Sequence, residues 1–351
     1  MSQSRAPWSL RLARPERGRR RTLGALGGAL ALVGLVSACS SGSGSLEKPD
    51  LNVGVVSGIG AATFQLGVSQ GDFSHNGLTV NVTPYATDAA AEAALQKGTI
   101  DVAFGDYSEF LSSGSASSLQ VVGEGYNAGD DTIGLVTATG SALTHDSLTG
   151  TNGVAQQIAN GGLSVDVPDR TSPEFLALAN WAITEQNPLN LSSSRINAAS
   201  NGADGPTTAS TMTKAVASGA ANTAVMSEPY LTEAIESGAV TELADLDSGN
   251  ALNMPVSGYF ALRSTAQKDP NTVAAFQAAL AEAQTLGGSR VEVEGALVAA
   301  KISHEVAATT AIGNYPTTIV AANLSNVLAL MGFANLPGSQ LNAATLVGSS
   351  A

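Results

Sequence analysis

Apolar and polar positions along the chain fall into short blocks whose period changes back and forth. Leu51 to Val56 is an apolar run stopped by Ser57-Gly58-Ile59-Gly60, which predicts a buried strand entering a tight turn. Residues 61 to 73 suit a helix. Leu78 to Val82 alternates as a strand and ends at Pro84-Tyr85. Thr87 or Asp88 caps an Ala-rich helix that closes at Gly98. Ile100, Val102 and Phe104 alternate again up to Gly105-Asp106, and Leu119 to Val122 and Ile133 to Thr137 predict two more strands.

The second half repeats the theme. Leu163 to Val167 reads as a strand ending at Pro168-Asp169-Arg170. Thr171-Ser172-Pro173-Glu174 then starts a helix, with Ser172 capping before Pro173 or Thr171 capping with Glu174 three residues on. A helix over 208 to 218 leads to a strand at Thr223 to Met226, which ends at Ser227-Glu228-Pro229-Tyr230. Ser192 to Thr208 is Gly- and Ser-rich and reads as a loop at a cleft edge. Pro255 to Leu262 is another strand. Helices follow over 270 to 286, 290 to 301, 304 to 311 and 317 to 331, and the tail after Pro337 reads as loosely held.

Strands alternating with helices of ten to fifteen residues imply an α/β protein with mainly parallel sheets. Ligands of such sheets sit at the carboxyl ends of strands. That rule selects Ser57, Gly58, Ile59, Tyr85, Asp106 and Tyr107. Two stretches look alike: Ala94 to Asp106 and Ala215 to Glu228. Each is a helix, a stop glycine, a short strand and an acid, with glycine and acid eight residues apart in one and nine in the other. Two similar halves facing one another would each offer one carboxylate.

Charge changes the picture at the amino end. The chain of 351 residues carries a net charge of -13. Seven arginines and one acid precede Cys39, so the remainder holds nine basic against 28 acidic residues, about -19. That balance excludes a nucleic-acid backbone as partner. Arginines up to Arg21, the apolar run Thr22 to Leu35 and Val36-Ser37-Ala38-Cys39 follow the order of a lipoprotein signal with its cleavage box. The apolar run is too short and Gly-rich for a comfortable span. The expectation is a signal over 1–38, lipid on Cys39, and a flexible tether over 39–50 that includes Ser40 to Ser45. The chain would then act at the outer face of a cell membrane. Arg20-Arg21 permits a twin-arginine route. Cys39 is the single cysteine, so no disulfide forms within the chain. His75, His145 and His304 are scattered, so neither a metal site nor a cofactor is expected, and no nucleophile elbow, phosphate loop or dinucleotide fingerprint appears.

Taken together, Asn52-Val53-Gly54 with Gly58 and Gly60, the stretch Ala94 to Asp106, Ser227-Glu228-Pro229-Tyr230, and Pro255 to Phe260 with its Ala-rich helix resemble the type II periplasmic-binding proteins. The likeness is to the group serving nitrate, sulfonate, taurine and thiamine-precursor ABC importers, and it covers about residues 50 to 335. It implies two α/β lobes joined by two crossing strands: 51–140 with 255–351, and 141–254. It further implies a monomer without catalysis, a small ligand in the interlobe cleft, hinge closure, and permease and ATPase partners. A sensor lipoprotein of the same fold, or an enzyme of the thiamine-pyrimidine synthase type, are the alternatives.

Two kinds of ligand remain open. Backbone N–H groups at Ser57 to Ala61, with Arg170, Thr171 and Ser172, suit a nitrate- or sulfonate-like anion. Asp106 and Glu228 suit an amine or aminopyrimidine, unless they only cap helices. Tyr85, Tyr126, Tyr230 and Tyr259 are candidates to stack on a flat ligand, unless they are core.

Overall fold

The computed structural model describes residues 45–148, 153–185, 189–190, 194–200, 205–247 and 253–348. The expected signal, Cys39 and most of the tether lie outside them. Among the described residues ten strands occur: β1 Asp50–Val56, β2 Thr79–Tyr85, β3 Val102–Asp106, β4 Leu119–Asn127, β5 Ile133–Ala138, β6 Ser164–Val167, β7 Arg195–Ala198, β8 Thr223–Ser227, β9 Val240–Asp245 and β10 Pro255–Leu262. The helices are α1 Ala62–Gln70, α2 Asp72–His75, α3 Asp88–Gln96, α4 Tyr107–Ser112, α5 Val154–Ala159, α6 Pro173–Thr184, α7 Pro206–Ala217, α8 Tyr230–Glu236, α9 Arg263–Lys268, α10 Pro270–Thr285, α11 Arg290–Ala299, α12 His304–Thr309, α13 Ala321–Phe333 and α14 Ala343–Val347.

The strands form two five-stranded sheets, ordered β2-β1-β3-β10-β4 and β7-β6-β8-β5-β9. Each has three parallel strands, then an antiparallel one in fourth place, then an edge strand antiparallel to that. The odd strand is in each case the first one made after the chain crosses from the other sheet. The described residues of the two crossings are 128–132, and 246–247 with 253–254, and they bond each other: Ala128 N–H donates to Met254 O and Asn253 N–H to Ala128 O. β5 therefore belongs with the second sheet, and the division falls near 130 rather than at 140. The reason is local: β5 pairs with β8 and β9 along its whole length.

Local chemistry sets the element ends. Thr87 caps α3 by accepting Ala90 N–H, and Ser172 caps α6 by accepting Phe175 N–H ahead of Pro173. Gly98 and Gly219 end their helices with φ of 68° and 77°, where a side chain would be strained. The region read as a helix over 61–73 breaks at Gly71 into α1 and α2. β7 lies inside the segment read as a loop; its residues are mostly exposed, so no apolar alternation marks it. The tail is held as well: Leu346 of α14 is buried, and the Arg263 guanidinium donates to Thr345 O.

Phe64, Phe73, Tyr259 and Phe276 pack together on one face of the first sheet, under α1, α2 and α10. The other face stacks Phe110 on Phe260, with centroids 4.4 Å apart. That core is continuous with Phe175, Leu178 and Trp181 of α6 through Leu324, Val327 and Met331 of α13. At the far end of β1, Glu47 accepts N–H groups from Asn271 and Thr272, and Lys48 pairs with Asp101. Among the described residues no helix is long and apolar enough to cross a membrane.

Candidate functional site

A cavity of about 70 Å³ lies between the two sheets, at the edge where their parallel strands finish. The first half supplies Val56 to Gly60 after β1, Asp88 at the head of α3, Phe104 to Asp106 at the end of β3, and Tyr126, Val256 and Ser257. The second half supplies Thr132 and Ile133, Pro173 and Glu174 at the head of α6, and Ser227, Glu228 and Tyr230 after β8. The structure thus brings together Ser57, Gly58, Ile59, Asp106, Tyr126, Glu228 and Tyr230.

Six other candidates lie off the cavity lining. Tyr107 is buried and donates its hydroxyl to Glu124 Oε2 at 2.8 Å. Tyr259 is core, ringed by Phe64, Phe104 and Phe276. β10 runs antiparallel, so its cavity end is its beginning, at Ser257, and Tyr259 sits one step deeper. Tyr85 closes β2, half-buried, with its ring beside Gly54. The Arg170 guanidinium donates to Ile196 O at 2.8 Å and is exposed. Thr171 gives both its N–H and its hydroxyl to Asp169 Oδ1, and Ser172 is the buried cap of α6.

Asp88 and Glu174 line the cavity, and the sequence offered them only as helix-start residues. Because Thr87 and Ser172 take the capping bonds, both acids are left to turn inward. Asp88 Oδ1 accepts the Asp106 N–H at 2.9 Å, across Gly105. A Cβ on Gly105 would collide with that carboxylate and with the Phe110 ring. Burial pushes the Asp88 carboxyl up to about 7; the Asp106 N–H works against the rise, while the Glu92 and Glu174 carboxylates add to it. Burial raises Glu174 as well, with the Ser227 and Ser172 hydroxyls pulling back. Being first-turn acids after strand ends is the signal that could have found them.

Glu228 has a different occupation. Its carboxylate accepts the N–H and hydroxyl of Thr232, and also Ala311 N–H at 3.0 Å from the segment before β-bridge partner Asn314. Burial raises its pKa against those three bonds. Tyr126 OH accepts Gly313 N–H at 2.7 Å from the same segment. Tyr315 OH donates to Ile59 O at 2.8 Å, which ties that segment to the turn after β1. Beneath the crossing, the Thr132 hydroxyl bonds Asp247, whose carboxyl is raised to about 9 by burial and by neighbouring Asp245.

No protein-family model and no curated protein matches the chain. Among solved structures it is similar to the alkanesulfonate-binding protein SsuA of Xanthomonas axonopodis pv. citri bound to MOPS, at 15% identity and TM-score 0.64, over 86% of this chain and 98% of that one. It is similar also to the periplasmic nitrate-binding protein NrtA of Synechocystis, at 13% identity and TM-score 0.64, over 86% of both chains. A ligand-binding component of an ABC-type import system from Staphylococcus aureus, with zinc bound, superposes at 16% identity and TM-score 0.61, over 81% of this chain and 91% of that one. The two five-stranded sheets and the cavity between their strand ends are the fold of the periplasmic solute-binding proteins.

Proposed function

We propose that this chain is a solute-binding protein of an ABC importer, tethered outside the cell membrane by lipid on Cys39. It would capture a small molecule between its two halves and present the closed form to a permease, with an ATPase driving transport, and would leave the solute chemically unchanged. The observation that supports this reading is the shared cavity. Strand-end turns from both sheets line it, so one solute touches both halves at once. A solute that contacts both halves shifts the population toward the closed arrangement, because only there are all its contacts made.

The test is a thermal shift on the full-length chain in detergent, with sulfonates, nitrate, amines, pyrimidines and flavins. A true ligand at a hundred times its Kd adds about 2.7 kcal/mol to stability and raises Tm. No shift with any class counts against the reading. For the anchor, the Cys39→Ala protein should leave the membrane fraction and lose the acyl mass seen on the wild type.

A further inference from the structure

Among the described residues, the cavity lining carries four carboxylates, Asp88, Asp106, Glu174 and Glu228, and no lysine, arginine or histidine. Two of the four acids come from opposite halves, Asp88 on α3 and Glu174 on α6, and the Glu174 charge adds to the rise of the Asp88 carboxyl. Burial without a counter-charge makes that arrangement costly.

Partners differ among the four. Asp88 holds the Asp106 N–H, and Glu228 is occupied by Thr232 and Ala311. Glu174 Oε2 has no hydrogen-bond partner although the residue is only 1% exposed. Ser257 Oγ is likewise without a partner at 2% exposure, and it comes from the other half. Buried polar atoms are normally satisfied, so two unsatisfied ones on the walls of one cavity mark where a ligand donates.

Resting on the reading of this cavity as the solute site, we propose that its solute is a small organic cation with at least two N–H donors, a protonated amine or an amidinium, received by Glu174 and Ser257. Such a group supplies the charge that the Asp88–Glu174 pair lacks and donates to both unpartnered oxygens. Because these come from different halves, the cation itself joins them. An anion would meet four carboxylates here, and Arg170, the one cation the sequence offered for it, lies outside the lining on the Ile196 carbonyl. Among the described residues no group of three or more His, Cys, Asp or Glu side chains is placed to hold a metal ion, which favours an organic cation over a metal. About 70 Å³ admits roughly five to seven groups the size of water, so the head group is small.

The test is isothermal titration of the full-length chain in detergent with methylguanidine, acetamidine and ethanolamine, and with nitrate and methanesulfonate for comparison. At least one of the three cations should bind, and Glu174→Gln should weaken it about 10- to 100-fold. The same variant should raise Tm without ligand, since it removes an uncompensated buried charge. Opposite signs on binding and stability are what a merely structural glutamate would not give. Asp88→Asn serves as the second variant and should weaken the same cation by a smaller factor. Binding of nitrate or methanesulfonate with no cation bound overturns the cation proposal and leaves the solute-binding reading standing. Silence from all three cations, or a Glu174→Gln protein that melts lower without ligand, overturns it too. Failure of the solute-binding reading is seen separately, as no thermal response to any solute class.

Discussion

Helix α1 and helix α6 occupy the same place in the two halves: each follows the second strand of its sheet and starts at the cavity edge. Their third residues are both buried phenylalanines, Phe64 and Phe175. Their second residues are both buried and polar, and there the likeness ends. Thr63 gives its hydroxyl to Gln284 Oε1 at 3.2 Å and is finished. Glu174 keeps one oxygen without a partner. The approach to the two helices differs as well: a glycine turn in the first half, and Asp169 to Ser172 bonded among themselves in the second. One topology therefore supplies two equivalent positions, and the side chain decides which is satisfied within the fold and which keeps a polar atom unpartnered.

That comparison can be broken most severely at the phenylalanines. Phe64→Ala and Phe175→Ala should each cost about 3–5 kcal/mol in chemical denaturation, since both rings are fully enclosed. A cost under about 1 kcal/mol at either would end the equivalence. Next comes pH. Burial holds the folded Asp88 carboxyl at about 7, well above the ordinary carboxylate range, so the folded state keeps the proton longer. The Asp88 contribution to the stability of the ligand-free protein is then fully present below about 4 and is lost as pH rises to about 7, by at most about 1.4 kcal/mol per pH unit. In the Asp88→Asn protein that part of the slope should vanish from a Tm-versus-pH series. At the second helical position the signs should split: Thr63→Val should lose about 1–3 kcal/mol by stranding Gln284 Oε1, while Glu174→Gln gains stability. The smallest effects belong to the caps. Thr87→Ala and Ser172→Ala should each lose about 1 kcal/mol, with cavity binding retained.

Much of this architecture was readable from spacing. The likeness between Ala94–Asp106 and Ala215–Glu228 corresponds to α3-β3 and α7-β8, and β3 and β8 hold the same central place in their sheets. Stop glycines made it visible, because their left-handed conformation leaves few other residues possible. What escaped did so for physical reasons. β7 and β9 carry exposed and acidic positions that blur alternation. Small residues hide α14 in the tail. Asp88 and Glu174 were read as capping groups, and a capping pattern cannot tell which of two adjacent candidates takes the bond. Tyr107 and Tyr259 stood near strand ends in sequence, yet Tyr107 opens α4 with its hydroxyl on Glu124, and β10 runs opposite to β3, so both are core.

The link between halves is also richer than a pair of crossing strands. Glu228 to Ala311 and Glu236 to Thr309 tie the turn before α8, and α8 itself, to α12 and the stretch after it, and α13 carries apolar packing from one sheet to the other. Any opening motion has these contacts to part as well as the crossings to bend.

The bonds at Glu47 and Lys48 fix the chain where it enters β1, and the turn at Ser57 touches the cavity where the chain leaves it. Seven residues of extended strand separate the two, roughly 20 Å. A pull on the leading end therefore loads the bonds at Glu47 and Lys48 before it reaches the turn that lines the cavity.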